Sequence, residues 1–275
     1  MKVSCLPVSF FEDIDLGRMS IREWAALARD CGLDGIDLGM ALLKNHTPEY
    51  LKKVASGLKE EGMPLVMLTT YPDFTHPEET QREREKEYFR RDIALASQLK
   101  ARYLRITAGQ AHPETELAQG IEWAVESFKD MEIVAGKYGI QLLFENHSKP
   151  GAWQYPDFSH PTEIFLEIYQ RIKETDIHIN FDTCNPYVYG NDALPILEKV
   201  MDRVDTLHVA DTGRRGALDP AVIGRGIVPF EEIFRYLKKN SFTGWFCIEE
   251  ASRTGRQGLE EAVSYVRETW EKIRV

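Results

Sequence analysis

The 275-residue sequence predicts a single (β/α)8 barrel, and two observations indicate that fold. Short apolar or β-branched runs alternate with longer segments of helical period, and eight such pairs follow one another along the chain. The length is close to the ~250 residues that a barrel of this kind needs. No linker or change of composition divides the chain, so we expect one domain over residues 1–275.

Eight consecutive strand–helix units favour a closed ring over an open sheet. Parallel strands need a crossover between them, and closing the ring removes both edges of the sheet. A doubly wound open sheet is the alternative fold. It typically carries a glycine-rich phosphate loop after its first strand, and the segment CLPVSFFED, at the end of the first predicted strand and beyond it, is no such loop.

The first half of the chain supplies four units in order. VSCLPVS precedes a helix that Ser20 caps and Gly32 ends, with apolar residues at i, i+3 and i+4. GLDGIDLG precedes a helix that begins at TPE and ends at Gly62. PLVMLTT precedes a charged helix over residues 78–99, and ARYLRITAG precedes a helix over residues 113–138.

The second half repeats the pattern four more times. Its strand and helix segments pair as IQLLFENH with PTEIFLEIYQRIKE, IHINFDTCN with NDALPILEKVMDR, DTLHVAD with VPFEEIFRYLKKN, and GWFCIEEA with GLEEAVSYVRETWEKI. The strand segments are rich in β-branched and aromatic residues, whereas the helix segments carry spaced apolar positions among charged ones. The sequence therefore alternates eight strands with eight helices.

Composition limits the classes of partner. The formal net charge of −10 argues against nucleic acid and anionic membranes, because both demand a basic protein surface. The four cysteines are widely spaced without a CxxC motif, which is typical of reduced thiols and predicts a cytoplasmic protein. The apolar run at the amino terminus is too short for a signal peptide or a membrane span.

Polar side chains end four consecutive predicted strands. In a barrel, alternate strand residues point inward and the carboxyl ends of the strands carry the active site. The inward residues at these ends are Glu145, Asp182, His208 and Glu249. Three crowded carboxylates would repel one another unless a cation neutralised them. The set predicts one divalent metal ion, Mn²⁺, Mg²⁺, Co²⁺ or Zn²⁺, and no organic cofactor.

Each of these residues also has an ordinary structural explanation when taken alone. A lone inward carboxylate is usually solvated or paired with an arginine, and a single buried histidine is usually hydrogen-bonded in the core. The repetition of the pattern on four adjacent strands favours a shared site over four separate coincidences.

The order of these residues resembles the xylose isomerase-like TIM barrels, in particular the sugar phosphate isomerase/epimerase group. The resemblance rests on FENH, FDTCN, LHVAD and CIEE, with supporting matches at DGIDLG, YLRI and IGRGIVPF, and it covers essentially the whole chain. It implies that Glu145, Asp182, His208 and Glu249 bind the metal. It also implies that both glutamates exchange protons with a substrate carbon and that Arg214 contacts substrate oxygens.

Two positions depart from the ketose 3-epimerases of this group. Asn185 stands where those enzymes usually carry a histidine, and Gly151 stands where they carry an acidic residue. Both positions normally hold substrate hydroxyls. Asn185 is therefore a predicted substrate contact, and the identity of the substrate stays open.

The ligand set is compatible with more than one reaction. The first hypothesis is an isomerase or epimerase of a small ketose or related polyhydroxy carbonyl compound, acting through a metal-stabilised enediolate. The alternative is a dehydratase of the inosose or dehydroshikimate type, in which the enediolate expels a β-hydroxyl. A nuclease resembling endonuclease IV is disfavoured because it needs more histidines and a DNA-binding rim. A non-catalytic binding module is disfavoured because all four ligand positions are present.

The loop after the fifth strand, NHSKPGAWQYPDFSHP, is where the two main hypotheses would differ. We expect His147 and Lys149 to be able to give a proton to a leaving hydroxyl, and Trp153 to cover the substrate. Asp37 and Arg105 are expected to form a charge pair below the site. Many relatives in this group pair their barrels, so a homo-oligomer is one expected state.

Overall fold

The computed structural model of the chain describes residues 1–148 and 150–274. Eight parallel strands lie in this part of the chain: β1 (Lys2–Leu6), β2 (Ile36–Gly39), β3 (Leu65–Thr69), β4 (Tyr103–Ile106), β5 (Gln141–Glu145), β6 (His178–Asp182), β7 (Val204–Val209) and β8 (Trp245–Glu249). They form one sheet in the order β1-β8-β7-β6-β5-β4-β3-β2. The predicted single-domain (β/α)8 barrel is confirmed.

Helices follow each strand and surround the barrel. In the described residues they are α1 (Phe11–Asp15), α2 (Ile21–Asp30), α3 (Pro48–Glu61), α4 (Glu79–Gln98), α5 (Leu117–Tyr138), α6 (Thr162–Ile172), α7 (Asn185–Val188), α8 (Leu194–Val200), α9 (Phe230–Lys239) and α10 (Gly255–Lys272). The short helices α1 and α7 lie in strand-to-helix loops, at the end of the barrel where the predicted site residues stand. None of the described helices has the length and apolar character needed to span a membrane.

Local signals in the sequence account for the start of α2 and both ends of α3. Ser20 caps α2 through a capping box with Glu23, and Gly62 ends α3 in the left-handed conformation at φ +69°. The start of α5 differs from its prediction by four residues, since the helix begins at Leu117 and not at residue 113. The preceding turn is tied to a neighbouring loop, because the Thr115 hydroxyl donates to the Thr75 carbonyl at 2.8 Å.

The barrel is nearly closed between its first two strands. The Asp34 amide donates to the Val3 carbonyl at 2.7 Å, and the Val3 amide donates to the Asp34 carboxylate at 2.8 Å. On the far side of the ring, the register between β6 and β7 places Asp182 directly beside His208. Because the ring is nearly closed and this register is kept, the carboxyl ends of β5, β6, β7 and β8 lie together at one end of the barrel. We call this end the mouth.

Two apolar cores support the barrel. The large one fills the space between strands and helices. The smaller one, here called the floor cluster, consists of Val66, Met67, Tyr103, Leu143, Trp245 and Cys247. Leu143 stands two residues before Glu145 on β5, and Cys247 stands two residues before Glu249 on β8, so strand alternation directs all four side chains to the interior. The floor cluster therefore lies directly beneath the mouth.

Candidate active site

Four side chains from the ends of β5, β6, β7 and β8 meet at the mouth of the barrel. Glu145, Asp182, His208 and Glu249 each offer one ligand atom, and these atoms all lie within 4.8 Å of one another. His208 Nδ1 lies 2.5 Å from Glu145 Oε1 and 3.4 Å from Glu249 Oε2. The structure thus brings together every residue predicted as a metal ligand. We call this group the carboxylate–histidine cluster.

Asp182 is held in place by the loop that follows it. Its Oδ1 accepts hydrogen bonds from the backbone amides of Cys184 at 2.7 Å and Asn185 at 2.6 Å. The Asn146 side chain clamps the Asp182 backbone, since Asn146 Oδ1 accepts from the Asp182 amide at 2.8 Å and Asn146 Nδ2 donates to the Asp182 carbonyl at 2.9 Å. These bonds use Oδ1 and leave Oδ2 for the cluster.

Glu145 is surrounded by hydrogen-bond donors and positive charge. Asn180 Nδ2 donates to its Oε1 at 3.1 Å, and Arg105 Nε lies 3.2 Å from its Oε2. Both Glu145 and Arg105 are only 1% exposed. Burial alone would raise the pKa of Glu145, but the charges of His208 and Arg105 outweigh it and lower the pKa to about 2. Glu145 is therefore ionised across the physiological pH range.

The rest of the cluster responds to the same crowding of charge. Burial, followed by repulsion from Glu249 and Glu145, raises the pKa of Asp182 well above its usual range. Burial would lower the pKa of His208, but attraction to the carboxylates, Glu145 first, raises it to about 9. A proton on His208 thus neutralises part of the negative charge of the three carboxylates, as a bound cation would.

The donor set fits a divalent cation. Three carboxylates and one imidazole supply hard oxygen and borderline nitrogen ligands. His208 directs Nδ1 at the carboxylates, as a metal-binding imidazole would direct it at an ion. Glu145 Oε2 is buried without a hydrogen-bond partner among the described residues, with Arg105 Nε at 3.2 Å. Buried polar atoms left in this state are uncommon in a finished core and indicate a position reserved for a further group.

The predicted charge pair between Asp37 and Arg105 is wrong. Asp37 accepts hydrogen bonds from the Ser4 hydroxyl at 2.7 Å and the Met67 amide at 3.0 Å, whereas Arg105 faces Glu145. Residue alternation shows that a strand residue points inward, but the stagger between strands decides its height in the barrel. Arg105 consequently belongs to the site and not to its support.

An aromatic wall stands beside the cluster, formed by Tyr71, His147 and Trp153. The ring centroid of Tyr71 lies 5.6 Å from His147 and 6.2 Å from Trp153, and the His147 and Trp153 rings are 6.4 Å apart. The Arg105 guanidinium lies 4.3 Å from the Tyr71 ring, and its Nη1 is buried without a hydrogen-bond partner in the described part of the chain. Sequence reasoning missed Tyr71, although an aromatic residue directly after the third strand was a usable signal.

The remaining predicted substrate contacts have different surroundings. Arg214 is 72% exposed and its Nε lies 3.6 Å from the Asp219 carboxylate. Asn185 is half-buried at the start of α7, where its backbone serves Asp182. His147 Nδ1 lies 3.5 Å from Asp157 Oδ2. Lys149 lies outside the described residues. Substrate binding by these four side chains stays a prediction.

The IGRGIVPF segment has a structural role that its glycines explain. The carboxylate of Asp211, just after β7, accepts from the amides of Gly224 and Gly226, each at 2.9 Å. A Cβ atom at Gly226 would stand 2.2 Å from the Asp211 carboxylate, so a larger residue does not fit there. Gly224 adopts φ +89°, which also favours glycine. Asp211 thereby fixes the loop that carries Arg214.

Comparison with known proteins gives matches along the chain. A family model described as xylose isomerase-like TIM barrel matches residues 25–269. An inosose dehydratase from Bacillus velezensis is 27% identical over 135 residues, a region that is 42% of this chain and 42% of that protein. The chain therefore matches less than half the length of this relative, and it matches 46% of two inosose dehydratases from Salmonella.

Other matches extend over nearly all of the chain. An inosose dehydratase from Clostridium botulinum is 24% identical over 319 aligned positions, covering 96% of this chain and 98% of that protein. A D-psicose 3-epimerase structure from Clostridium cellulolyticum, with D-tagatose, superposes with a TM-score of 0.81 and covers 98% of this chain and 99% of its own. At 13% sequence identity, that likeness establishes the shared fold alone.

Proposed function

The chain belongs to the xylose isomerase-like TIM barrel family, and from this premise we propose that it is a divalent-metal-dependent isomerase or epimerase. The proposed substrate is a small ketose or a related polyhydroxy carbonyl compound. The observation that carries the proposal is the convergence of Glu145, Asp182, His208 and Glu249 within 4.8 Å at the mouth of the barrel.

The four residues of the cluster would hold one divalent cation. Bound there, the cation would supply Lewis acidity to a substrate carbonyl and acidify the neighbouring C–H bond. An oxygen-rich shell with one imidazole suits Mn²⁺, which we would test first, beside Mg²⁺, Co²⁺ and Zn²⁺.

The two glutamates differ in what they can reach. Glu145 is enclosed by His208, Asn180 and Arg105, whereas Glu249 is 28% exposed and faces the mouth. Glu249 is therefore the better placed to take a proton from a substrate carbon and to return it to that carbon or to its neighbour, whereas the ionised Glu145 can act only as a proton acceptor or a metal ligand. Arg105 Nη1, which is buried without a hydrogen-bond partner among the described residues, can bind a substrate oxygen, and Tyr71 and Trp153 would exclude water.

The alternative function is a dehydratase acting on an inosose or on dehydroshikimate. His147 favours it, because this imidazole stands in the aromatic wall and can give a proton to a leaving hydroxyl. In that reaction a C–H and a C–O bond break, a C=C bond forms and water leaves. The inosose dehydratases among the relatives also favour this alternative.

Incubation with Mn²⁺ in D₂O separates the two reactions. We would offer D-psicose, D-tagatose, an inosose and 3-dehydroshikimate to the protein and follow each by mass spectrometry and ultraviolet absorbance. An isomerase or epimerase incorporates deuterium at carbon and loses no water. A dehydratase loses water and creates a conjugated chromophore. No change in any of the four compounds would contradict both functions.

Metal binding is tested by elemental analysis after dialysis. We expect about one divalent ion per chain in the wild type and its loss in Asp182→Asn, since removing one carboxylate removes a ligand. The matched control is Asp205→Asn, because Asp205 lies at the opposite end of the barrel beside His178, 2.8 Å away. Equal metal loss in both variants would contradict the site.

The location and the assembly of the protein are proposed as well. Each of the four cysteines is a free thiol, which supports a reducing compartment and hence the cytoplasm. A homo-oligomer is the expected assembly, and light scattering on the purified chain would measure it.

A further inference from the structure

One side chain, Gln110, fastens the loop between β5 and α6 to the loop between β4 and α5. Gln110 Oε1 accepts hydrogen bonds from the backbone amides of Gln154 at 2.9 Å and Tyr155 at 3.2 Å. Gln110 Nε2 donates to Asp73 Oδ2 at 2.9 Å. We infer that Gln110 is a positioning residue, a latch that holds Trp153 over the candidate active site. What Trp153 covers there rests on the proposed function, whereas the latch itself does not.

Among the described residues, main-chain hydrogen bonds tie only the later part of this loop to the loop between β4 and α5. The Ala111 amide donates to the Pro156 carbonyl at 2.9 Å, and the Phe158 amide donates to the Gly109 carbonyl at 2.7 Å. Residues 156–158 therefore run antiparallel to residues 109–111, with an isolated bridge between Gln110 and Asp157. Upstream of this ladder the chain turns toward the mouth. There the Gln110 side chain accepts the two hydrogen bonds that join this part of the loop to the loop between β4 and α5.

Asp73 keeps the latch in one orientation. Its Oδ1 accepts from the Gln110 backbone amide at 2.9 Å, and its Oδ2 accepts from Gln110 Nε2 at 2.9 Å and lies 2.8 Å from His112 Nε2. Asp73 is buried and belongs to the loop between β3 and α4, which also carries Tyr71. Three loops are thus joined through one carboxylate and one amide, and supporting contacts of this kind preorganise a site.

The chemistry of the contact explains why glutamine suits it. A carboxamide offers an oxygen for the two loop amides and an N–H for the Asp73 carboxylate. Glutamate at position 110 would keep the acceptor but lose the donor, and would add a like charge beside Asp73. Alanine would leave both loop amides without their partner. Either change frees residues 150–155, so Trp153 would no longer be held against Tyr71 and His147.

The decisive experiment exchanges donor and acceptor across the contact. The variants are Gln110→Glu, Asp73→Asn and the two combined, in which the amide and the carboxylate have traded places. In the ligand-free protein we expect hydrogen exchange at the amides of residues 154 and 155 to become about tenfold faster in Gln110→Glu. The combined variant is expected to return to within about threefold of the wild type. The Ala111 and Phe158 amides serve as internal controls and should keep their rates.

The kinetic readout uses whichever of the four test compounds the wild type converts. Gln110→Glu is expected to raise KM about tenfold and to change kcat less, because the loop contributes to substrate binding, and the combined variant should recover KM. Gln110→Ala is the second test, and adding Trp153→Ala to it should cost little more than either change alone.

Several results would overturn the latch. Unchanged exchange at residues 154 and 155 in Gln110→Glu and Gln110→Ala would do so, as would a combined variant no better than Gln110→Glu. A rise in exchange across the whole barrel would mean a general structural role. Failure of the proposed function gives a different result, namely no turnover by the wild type, while the exchange data still decide the latch.

Discussion

The mouth and the floor of the barrel interior lie two residues apart on the same strands and are built from opposite chemistry. At the mouth, Glu145 and Glu249 belong to a crowded set of charges, where burial, followed by repulsion from these two carboxylates, raises the pKa of Asp182. At the floor, Leu143 and Cys247 belong to a buried apolar cluster. Strand alternation directs both layers inward, so geometry alone does not distinguish them.

The contrast separates the residues that stabilise the barrel from the residues that we assign to its function. Apolar burial at the floor contributes to folding in proportion to the area removed from water. Buried like charges at the mouth oppose folding, and they are retained at the strand ends where barrel enzymes carry their chemistry. Substitutions in the two layers should therefore have opposite effects on activity and stability, which can be measured.

The largest effect is expected from Glu249→Gln at the mouth. Glutamine keeps the size of the side chain but cannot accept a proton, so kcat/KM should fall by about 10³-fold or more. The free energy of unfolding should stay within about 1 kcal/mol of the wild type, because one repelling charge is removed and no cavity is created. Steady-state kinetics on the converted substrate and urea unfolding measure the two quantities. Full activity in this variant would remove Glu249 from the proposed mechanism.

The matching change at the floor is Leu143→Ala. Leu143 is fully buried, so its truncation should cost about 2–5 kcal/mol of unfolding free energy through lost burial and the cavity left behind. The metal content of the folded protein should not change, because Leu143 offers no ligand atom. Urea unfolding and elemental analysis test both parts. A folded variant without metal would mean that the two layers depend on each other and would break the contrast.

The residues of the carboxylate–histidine cluster could be predicted from the sequence, whereas the contacts around the cluster could not. Glu145 and Asp182 end strands whose alternation is plain, so their convergence follows from a closed barrel. Arg105 also points inward, but its partner depends on strand stagger, which no local pattern contains. Tyr71 and Gln110 act through contacts between loops, and loop conformations are set by tertiary contacts that single segments do not encode.

Asp37 sharpens the contrast because it is a buried carboxylate beside the floor cluster, hydrogen-bonded to the Met67 amide. It is fully buried, bonded to Ser4 and Met67, and its pKa is raised to about 6, chiefly by burial. The folded state therefore binds this proton more tightly than the unfolded state does. The stability that Asp37 contributes is present below about pH 4 and is lost as the pH rises to about 6, with an upper limit of about 3 kcal/mol.

Asp37→Asn should abolish that pH dependence. An asparagine can accept from the Met67 amide and donate to the Ser4 hydroxyl, so both contacts survive the change. The difference in unfolding free energy, variant minus wild type, should rise between pH 4 and pH 7 and then level off, as measured by urea unfolding at each pH. A flat difference would mean that Asp37 ionises freely in the folded protein. In that case an ionised carboxylate would stand beside the floor cluster as well as at the mouth. Only the metal site would then distinguish the two layers.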